Sequence, residues 1–313
     1  MKPTHFIVAF TLSSVSWSAQ ALVTDPPPIT NQDVEPGLLQ IVQEQLPEAS
    51  AVDASFLNTD YDAYLTLNQD ANVSITFLDE GAGYRNSLGW FTFSGNTFNN
   101  LSRGDIDNDD SGTVSLTELN AVEGVTTGWL FPNISESGGG GSLLAGDTVP
   151  VGDGLLPSGT SISFLLAQNA WAGRDRVSNG VLNGERQIFY GLDFLNPEAD
   201  ATSTIDSSLI NSRHVALLFA DDSQEEVIMG FEDLNRIDRY SNDWNFNSDE
   251  DFNDAVFIVN SDPASAFGDS NIATAPIPPM GTGLIGILML GVLGCVYGSP
   301  GRENATQNTT DHS

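Results

Sequence analysis

The chain has 313 residues, 40% of them hydrophobic, which is enough to bury a sizeable core. It carries 42 acidic residues against 10 Lys and Arg, a formal charge of -32, which argues against binding to nucleic acid phosphates. Lys2 is the only lysine and Cys295 the only cysteine, so Schiff-base lysines, P-loops, intrachain disulfides and thiolate zinc sites are excluded. The oxygen ligands that remain suit calcium better than transition metals.

The N-terminal segment 1–21 has the pattern of a secretory signal peptide. An apolar run at 6–12 follows Lys2 and leads to Ala19-Gln20-Ala21, a small-x-small cleavage pattern. Serines interrupt the apolar run, which is shorter than the roughly 20 residues of a membrane span. The protein is therefore predicted to be exported.

The chain from 22 to 69 is predicted to be a Pro-rich lead-in with one short amphipathic helix, Leu38 to Leu46. From 70 to 262 the pattern changes to short alternating strands, which predict a mainly β, β-sandwich or jelly-roll-like single domain. The Gly138–Ser142 stretch is interpreted as a surface loop of this domain, with a boundary between two domains as the alternative. The predicted strands are 73–77, 88–93, 161–166, 215–219, 227–229 and 255–259.

A twelve-residue calcium loop of the EF-hand type, 107–118, is inserted in this domain. Oxygen ligands occupy the required positions, Gly112 stands where the chain must turn sharply, and Val114 supplies the usual inward apolar contact. A helix is predicted after the loop, over Leu116 to Val122, whereas the segment before it, 94–105, is a poor helix former. We expect weak, structural calcium binding, on the order of 10⁻⁴ to 10⁻³ M. The alternative is an acidic loop that binds nothing. The predicted ligands are Asp107, Asp109, Ser111, Thr113, Ser115 and Glu118.

A second acidic cluster spans 243–254. Its acidic and amide side chains alternate from 243 to 251, so that they can converge on one face of an extended chain. Ser248 replaces the turn-forming Gly and Asp254 the bidentate Glu of a calcium loop, so a solvated acidic hairpin is an equal alternative. The candidate ligands of this second calcium site are Asp243, Asn245, Asn247, Asp249, Asp251 and Asp254.

The same region contains a distinctive pattern, Gly230–Leu234 followed by 248–257. This pattern resembles the closing signature of a bacterial secreted family, domain of unknown function 4114, and Glu80–Gly89 and Gly159–Trp171 look like earlier blocks of the family. The resemblance covers 70–262 and implies a β-rich exported domain without an established activity. It favours a site or a charged structural knot made of Glu232, Asp233, Asp249, Asp251 and Asp254.

In the C-terminal region a linker with a Pro motif, 263–279, precedes an uncharged stretch long enough to cross a membrane, 280–298, and a short tail, 299–313. This order resembles the PEP-CTERM class of bacterial sorting signals. The resemblance implies processing by an exosortase-like sorting protease and a place at the cell surface, or release from it. Ile277 stands where the family most often has Glu, and Arg302 is the only basic residue of the tail, so a plain membrane anchor is the alternative.

No signature of a known enzyme class is present, and the protein is predicted not to be an enzyme. Its expected role is that of an exported calcium-binding surface or extracellular-matrix protein with a structural or adhesive function. Polysaccharide or other surface proteins are its expected partners. One alternative is a carbohydrate-binding module with Trp244 as the exposed aromatic, while Trp90, Trp129 and Trp171 are predicted to be core residues. A second is a calcium-dependent polysaccharide hydrolase with two catalytic carboxylates. The single body histidine, His214, is predicted to be structural.

Overall fold

A computed structural model describes residues 21–23, 25–178, 187–199, 212–236 and 248–276. All of these except Pro276 belong to one compact unit, which ends at Ala275. Almost all of the predicted signal peptide and the whole predicted membrane segment lie outside the described residues. Within the described ranges, no helix is both long enough and apolar enough to cross a bilayer.

The described chain is mainly β, as predicted. Its strands are β1 (Ala21–Val23), β2 (Thr30–Asn31), β3 (Leu65–Thr66), β4 (Asn72–Asp79), β5 (Ser87–Ser94), β6 (Thr126–Phe131), β7 (Asp147–Pro150), β8 (Thr160–Ala167), β9 (Arg176–Ser178), β10 (Ile188–Tyr190), β11 (Val215–Phe219), β12 (Glu226–Phe231), β13 (Ala255–Asp262) and β14 (Ala273–Thr274). The α-helices are α1 (Pro36–Gln45), α2 (Arg103–Ile106) and α3 (Leu116–Asn120). Short 3-10 helices lie at Ala54–Leu57, Asp193–Leu195, Pro197–Ala199 and Ala264–Phe267.

Two sheets pack face to face, consistent with a β-sandwich. The smaller sheet has five strands, in the order β10-β8-β5-β6 with β3 beside β8. The larger sheet has seven, in the order β14-β11-β12-β13-β4-β7-β2, and β1 pairs separately with β9. The core between the sheets contains Trp90 and Phe164 from the smaller sheet and Phe77 and Phe257 from the larger one. Burial of such large side chains is the main favourable contribution to folding.

The side chains of β5 alternate between the two faces of the smaller sheet, and both faces are packed against apolar residues. Leu88 and Trp90 point into the core between the sheets, whereas Phe91 and Phe93 belong to a separate apolar cluster on the opposite face. The segment that contains α2, the loop 107–118 and α3 contributes Ile106, Val114, Leu116 and Leu119 to this outer cluster. This segment therefore covers part of the outer face of the smaller sheet.

Helix α1 covers the larger sheet in the same way. Its buried residues Leu38 and Val42 share an apolar cluster with Ile228 of β12 and Ile258 of β13. The helix has no side-chain cap at its N-terminus, where Pro36 occupies the first turn, so its stability depends on this apolar face.

The predicted lead-in contributes more structure than its sequence pattern indicated. β2 pairs with β7 and β3 with β8, so the segment adds strands to both sheets. Each of these strands is two residues long, too short to produce a period-2 pattern. The Gly138–Ser142 stretch forms an exposed turn held by bridges that pair Glu136 with Leu143 and Ser137 with Gly141.

Candidate metal centres

The loop 107–118 is closed by hydrogen bonds at both ends. Asp107 follows α2, and its carboxylate accepts the backbone N–H groups of Ser111 at 3.1 Å and Gly112 at 2.8 Å. Gly112 has φ +82°, the left-handed conformation that the sharp turn requires. Glu118 lies in the first turn of α3 and accepts the N–H of Asn108 at 2.8 Å, which joins the two ends of the loop.

Three carboxylates converge at this loop. Asp107, Asp109 and Glu118 each present an oxygen within 4.8 Å of the others, with Asp107 buried and Asp109 exposed. Such a set of hard oxygen ligands suits calcium. The predicted ligands Ser111 and Thr113 also lie in the loop, where the Ser111 hydroxyl donates to the Thr113 carbonyl at 3.0 Å. This carbonyl is the backbone ligand that a calcium loop uses at its seventh position.

The remaining predicted ligand of the loop, Ser115, has a second role in the structure. Ser115 is the N-cap of α3: its hydroxyl accepts the N–H of Glu118, and the Glu118 carboxylate accepts the Ser115 N–H at 2.8 Å. This capping box fixes the carboxylate of Glu118 at the helix N-terminus. The ligand expected to bind calcium with both oxygens is therefore already oriented.

The loop is attached to the smaller sheet by buried contacts that its own sequence does not indicate. Val114 is fully buried in the outer cluster with Leu119 and Phe91. The hydroxyl of Tyr190, on β10, donates to the backbone carbonyl of Val114 at 2.6 Å. Tyr190 is itself fully buried, and burial raises the pKa of its hydroxyl above the usual value. The loop is thus held in place by a strand 76 residues further along the chain.

A second group of carboxylates lies at one end of the larger sheet. Glu232 and Asp233 directly follow β12, and Asp254 directly precedes β13. The two strands are antiparallel neighbours with Phe231 opposite Ala255, so the acids meet at the same end of the sheet. We call Glu232, Asp233, Asp249, Asp251 and Asp254 the acidic centre.

The acidic centre contains two groups of three carboxylates that share Glu232. In one group Glu232 meets Asp249 and Asp251, in the other it meets Asp233 and Asp254, and in each the ligand oxygens lie within 4.8 Å of one another. Glu232 is 0% exposed and Asp233 2%. Each group offers three carboxylate oxygens to a cation, and Glu232 is common to both groups.

Burial makes the negative charge of the acidic centre unfavourable. Burial, together with repulsion from neighbouring carboxylates, raises the pKa of Asp254 to about 10 and that of Glu232 to about 7. Burial likewise raises the pKa of Asp233 to about 6. Carboxylates in this situation must bind protons or a cation.

The nearby basic side chains are committed to other partners. Arg236 forms an ion pair with Glu250 at 2.6 Å, and Arg213 one with Asp193 at 2.7 Å. His214 is hydrogen-bonded to the Glu232 carbonyl at 2.9 Å, which agrees with its predicted structural role. Among the described residues, no arginine forms an ion pair with a carboxylate of the acidic centre. A cation bound from solution would add positive charge next to these carboxylates.

Amide side chains from distant segments position Asp233. The side-chain N–H of Asn86 donates to its carboxylate at 2.6 Å, and that of Gln168 to its backbone carbonyl at 2.8 Å. The Asn86 side chain also accepts the N–H of Asn169 at 2.8 Å. These residues come from the two earlier blocks of the family resemblance, so the three blocks meet at the acidic centre.

The structure brings together only part of the predicted second calcium site. Asp249, Asp251 and Asp254 belong to the acidic centre, whereas Asp243, Asn245 and Asn247 lie outside the described residues, as does Trp244. Spacing within 243–254 did not indicate Glu232 and Asp233, which come from the end of the neighbouring strand. The family resemblance was the signal that included them.

The described chain is a mainly β protein with two candidate sites for hard cations, the loop 107–118 and the acidic centre. Residues 156–262, about a third of the chain, match the model of the family described as Domain of unknown function (DUF4114). The match contains β8 to β13 and the whole acidic centre, and it supports the predicted resemblance over this part. The loop 107–118 precedes it. No significant match was found among curated proteins or solved structures.

Proposed function

We propose that this protein is an exported calcium-binding protein of the cell surface or extracellular matrix, with a structural or adhesive rather than a catalytic role. The observation that carries the proposal is the convergence of Asp107, Asp109 and Glu118 in a loop with an oxygen donor at each calcium-ligand position. The acidic centre supports it independently, because its buried carboxylates lack a paired cation among the described residues.

Calcium bound in the loop would stabilise the packing of the segment from α2 to α3 against the smaller sheet. The ion would join Asp107, at the end of α2, to Glu118, in α3, and both helices carry residues buried in the outer cluster. Binding would therefore stabilise the packing of Ile106 and Leu119 as well as the loop. This is a structural use of calcium, in keeping with weak extracellular affinity.

Calcium at the acidic centre would replace the protons that its buried carboxylates otherwise bind. It would hold the segment 249–254 against the end of β12, where Glu232 and Asp233 lie. Burial of these two ligands leaves little room for a substrate at the metal, which favours a structural role over catalysis. The overall negative charge of the chain would also repel itself less once cations are bound.

Calcium titration of the full-length protein by calorimetry, with melting curves in calcium and in chelator, tests the proposal. Asp107→Asn should remove the loop site, and Asp233→Asn should remove binding by the group Glu232, Asp233 and Asp254 of the acidic centre. Asp153→Asn is the matched control, because Asp153 is exposed and far in sequence from both groups. At a calcium concentration 100 times the Kd, the free energy of unfolding should rise by about 2.7 kcal/mol.

Two results would count against the proposed calcium binding. Absence of both heat and a melting shift at about 10 mM calcium, well above the expected extracellular range, would remove calcium binding altogether. Equal binding by Asp107→Asn and the Asp153→Asn control would place the ion elsewhere. Export and surface location have a separate test, which is the detection of the protein on intact cells by a labelled antibody.

A further inference from the structure

Positive charge is scarce on this chain, and among the described residues most of the exposed arginines lie around one tryptophan. Of the six arginines in the described ranges, Arg213 and Arg236 are buried. Three of the other four surround Trp171. They are Arg85, Arg174 and Arg176.

The contacts of Trp171 define this arrangement. The guanidinium carbon of Arg85 lies 5.1 Å from the centre of the indole, in a cation–π contact. The indole N–H donates to the Arg174 carbonyl at 2.8 Å, and Arg176 donates to the carbonyl of Ala172 at 3.4 Å. Trp171 was predicted to be a core residue, but it is only partly buried, and its ring is fixed by neighbouring backbone.

An open groove of about 430 Å³ lies beside Trp171. Pro26, Pro27 and Ile29 give it an apolar side, and Ile29 is 51% exposed. Its polar lining includes Asn133, Arg174 and Asp175. The volume lies within the range of small-molecule sites, and the mixture of apolar surface with a few polar groups is typical of them.

Two of the three guanidinium groups retain their hydrogen-bonding capacity. The side chains of Arg85 and Arg174 form no ion pair and no hydrogen bond with a described residue, and Arg176 forms only the one to Ala172. A guanidinium group has five N–H donors in a planar fork that matches a carboxylate. In so acidic a protein, unpaired arginines beside a groove indicate a negatively charged ligand.

We propose that this groove binds an anionic saccharide, a glycan segment that contains uronic acid. Apolar faces of the sugar rings would pack against Trp171 and the prolines, and the carboxylate would accept hydrogen bonds from Arg174 and Arg85. Asp175 and Asn133 offer acceptors for sugar hydroxyls. Because Asp175 lies beside Arg174, the groove favours a ligand that carries hydroxyls as well as carboxylates. The groove shares no lining residue with the loop 107–118 or the acidic centre, so this proposal does not depend on calcium binding.

The test is calorimetric titration of the full-length protein with a galacturonic acid trisaccharide, in calcium and in chelator. A neutral galactose trisaccharide is the ligand control. Arg174→Gln and Arg85→Gln should each weaken binding by about tenfold or more, since each removes a charged hydrogen-bond donor. Arg103→Gln is the matched control, because it causes the same change in net charge at the calcium loop, outside the groove. Binding in both buffers, sensitive to the groove arginines and insensitive to Arg103→Gln, supports the proposal.

Other outcomes would overturn it. No heat with the galacturonic acid trisaccharide at about 10 mM, far above the affinity of an ordinary ligand site, would exclude the site. Equal binding of the neutral trisaccharide would show that the arginines do not recognise a carboxylate. Binding that requires calcium and survives both arginine substitutions would place the sugar at a metal. Self-association in light scattering that Arg174→Gln abolishes, without saccharide binding, would identify a second copy of the chain as the partner.

Discussion

The hydrogen bond from Tyr190 to the Val114 carbonyl allows a direct test of how the calcium loop depends on the β-sheets. Both residues are fully buried, and the bond is 2.6 Å long. Tyr190→Phe removes only the hydroxyl and keeps the ring contact with Phe91, whose centre lies 6.0 Å away. Among the described residues, Val114 has no other donor to its carbonyl, so the substitution leaves a buried acceptor unpaired.

The size of the effect follows from this unpaired carbonyl. Leaving a buried acceptor without a donor costs about 1–3 kcal/mol. A value of about 2 kcal/mol corresponds to a fall in Tm of about 4–8 °C for a domain of this size. If the substitution destabilises only the calcium-bound form of the loop, the calcium affinity of the loop falls by about 30-fold, which is the largest effect that about 2 kcal/mol can have.

Calcium calorimetry and melting curves would be measured for Tyr190→Phe beside a matched control, Tyr64→Phe. Tyr64 packs edge-on against Phe93 in the same cluster, 5.2 Å between ring centres, but its hydroxyl bonds to no described residue. The control therefore removes the same atom without touching the loop. Equal calcium affinity in the two variants would refute the coupling of loop and sheet, even if Tyr190→Phe lowered the Tm.

Three further predictions concern the acidic centre and the loop 107–118. In chelator, the free energy of unfolding should fall as pH rises from about 4 to about 10. The reason is that burial raises three carboxyl pKa values above those of the unfolded chain: Asp233 to about 6, Glu232 to about 7 and Asp254 to about 10. Bound calcium should make the free energy of unfolding depend less on pH. Chemical denaturation at several pH values, in calcium and in chelator, measures both dependences. Stability that rises with pH in chelator would contradict the reasoning. Asp254→Asn should raise the Tm in chelator and abolish calcium binding by the group Glu232, Asp233 and Asp254. A lower Tm in chelator would oppose the argument from charge repulsion. Gly112→Ala should weaken calcium binding at the loop about fivefold or more, since its φ of +82° costs other residues about 1–2 kcal/mol, while calorimetry should find the acidic centre unchanged.

The sequence predicted well those features that depend on neighbouring residues. The alternation in 215–219 predicted β11 at its observed bounds, and the twelve-residue spacing placed Asp107 and Glu118 where they converge. The exit helix was expected to Val122 and ends at Asn120, a difference within ordinary helix fraying. Residues 103–106, in a segment expected to be a poor helix former, form only one helical turn.

Features that depend on the pairing of distant segments could not be derived from local patterns. Glu232 meets Asp254 because β12 and β13 pair in one particular register, and spacing along the chain does not specify that register. The contact of Tyr190 with Val114 joins two segments through the packing of a sheet. Trp171 resembles a core residue in sequence, and only the turn that bonds its indole to Arg174 leaves it at the surface.

The position of the calcium loop between β5 and β6 has a consequence for the order of assembly. These strands are antiparallel neighbours, yet the chain between them, 95–125, is far longer than a tight hairpin turn. Closing so long a connection carries a conformational entropy cost, which a metal that gathers Asp107, Asp109 and Glu118 early would reduce. We therefore expect β6 to join its sheet late in calcium-poor surroundings and early where calcium is abundant. Under the proposed function, this dependence on calcium would favour completion of the hairpin outside the cell.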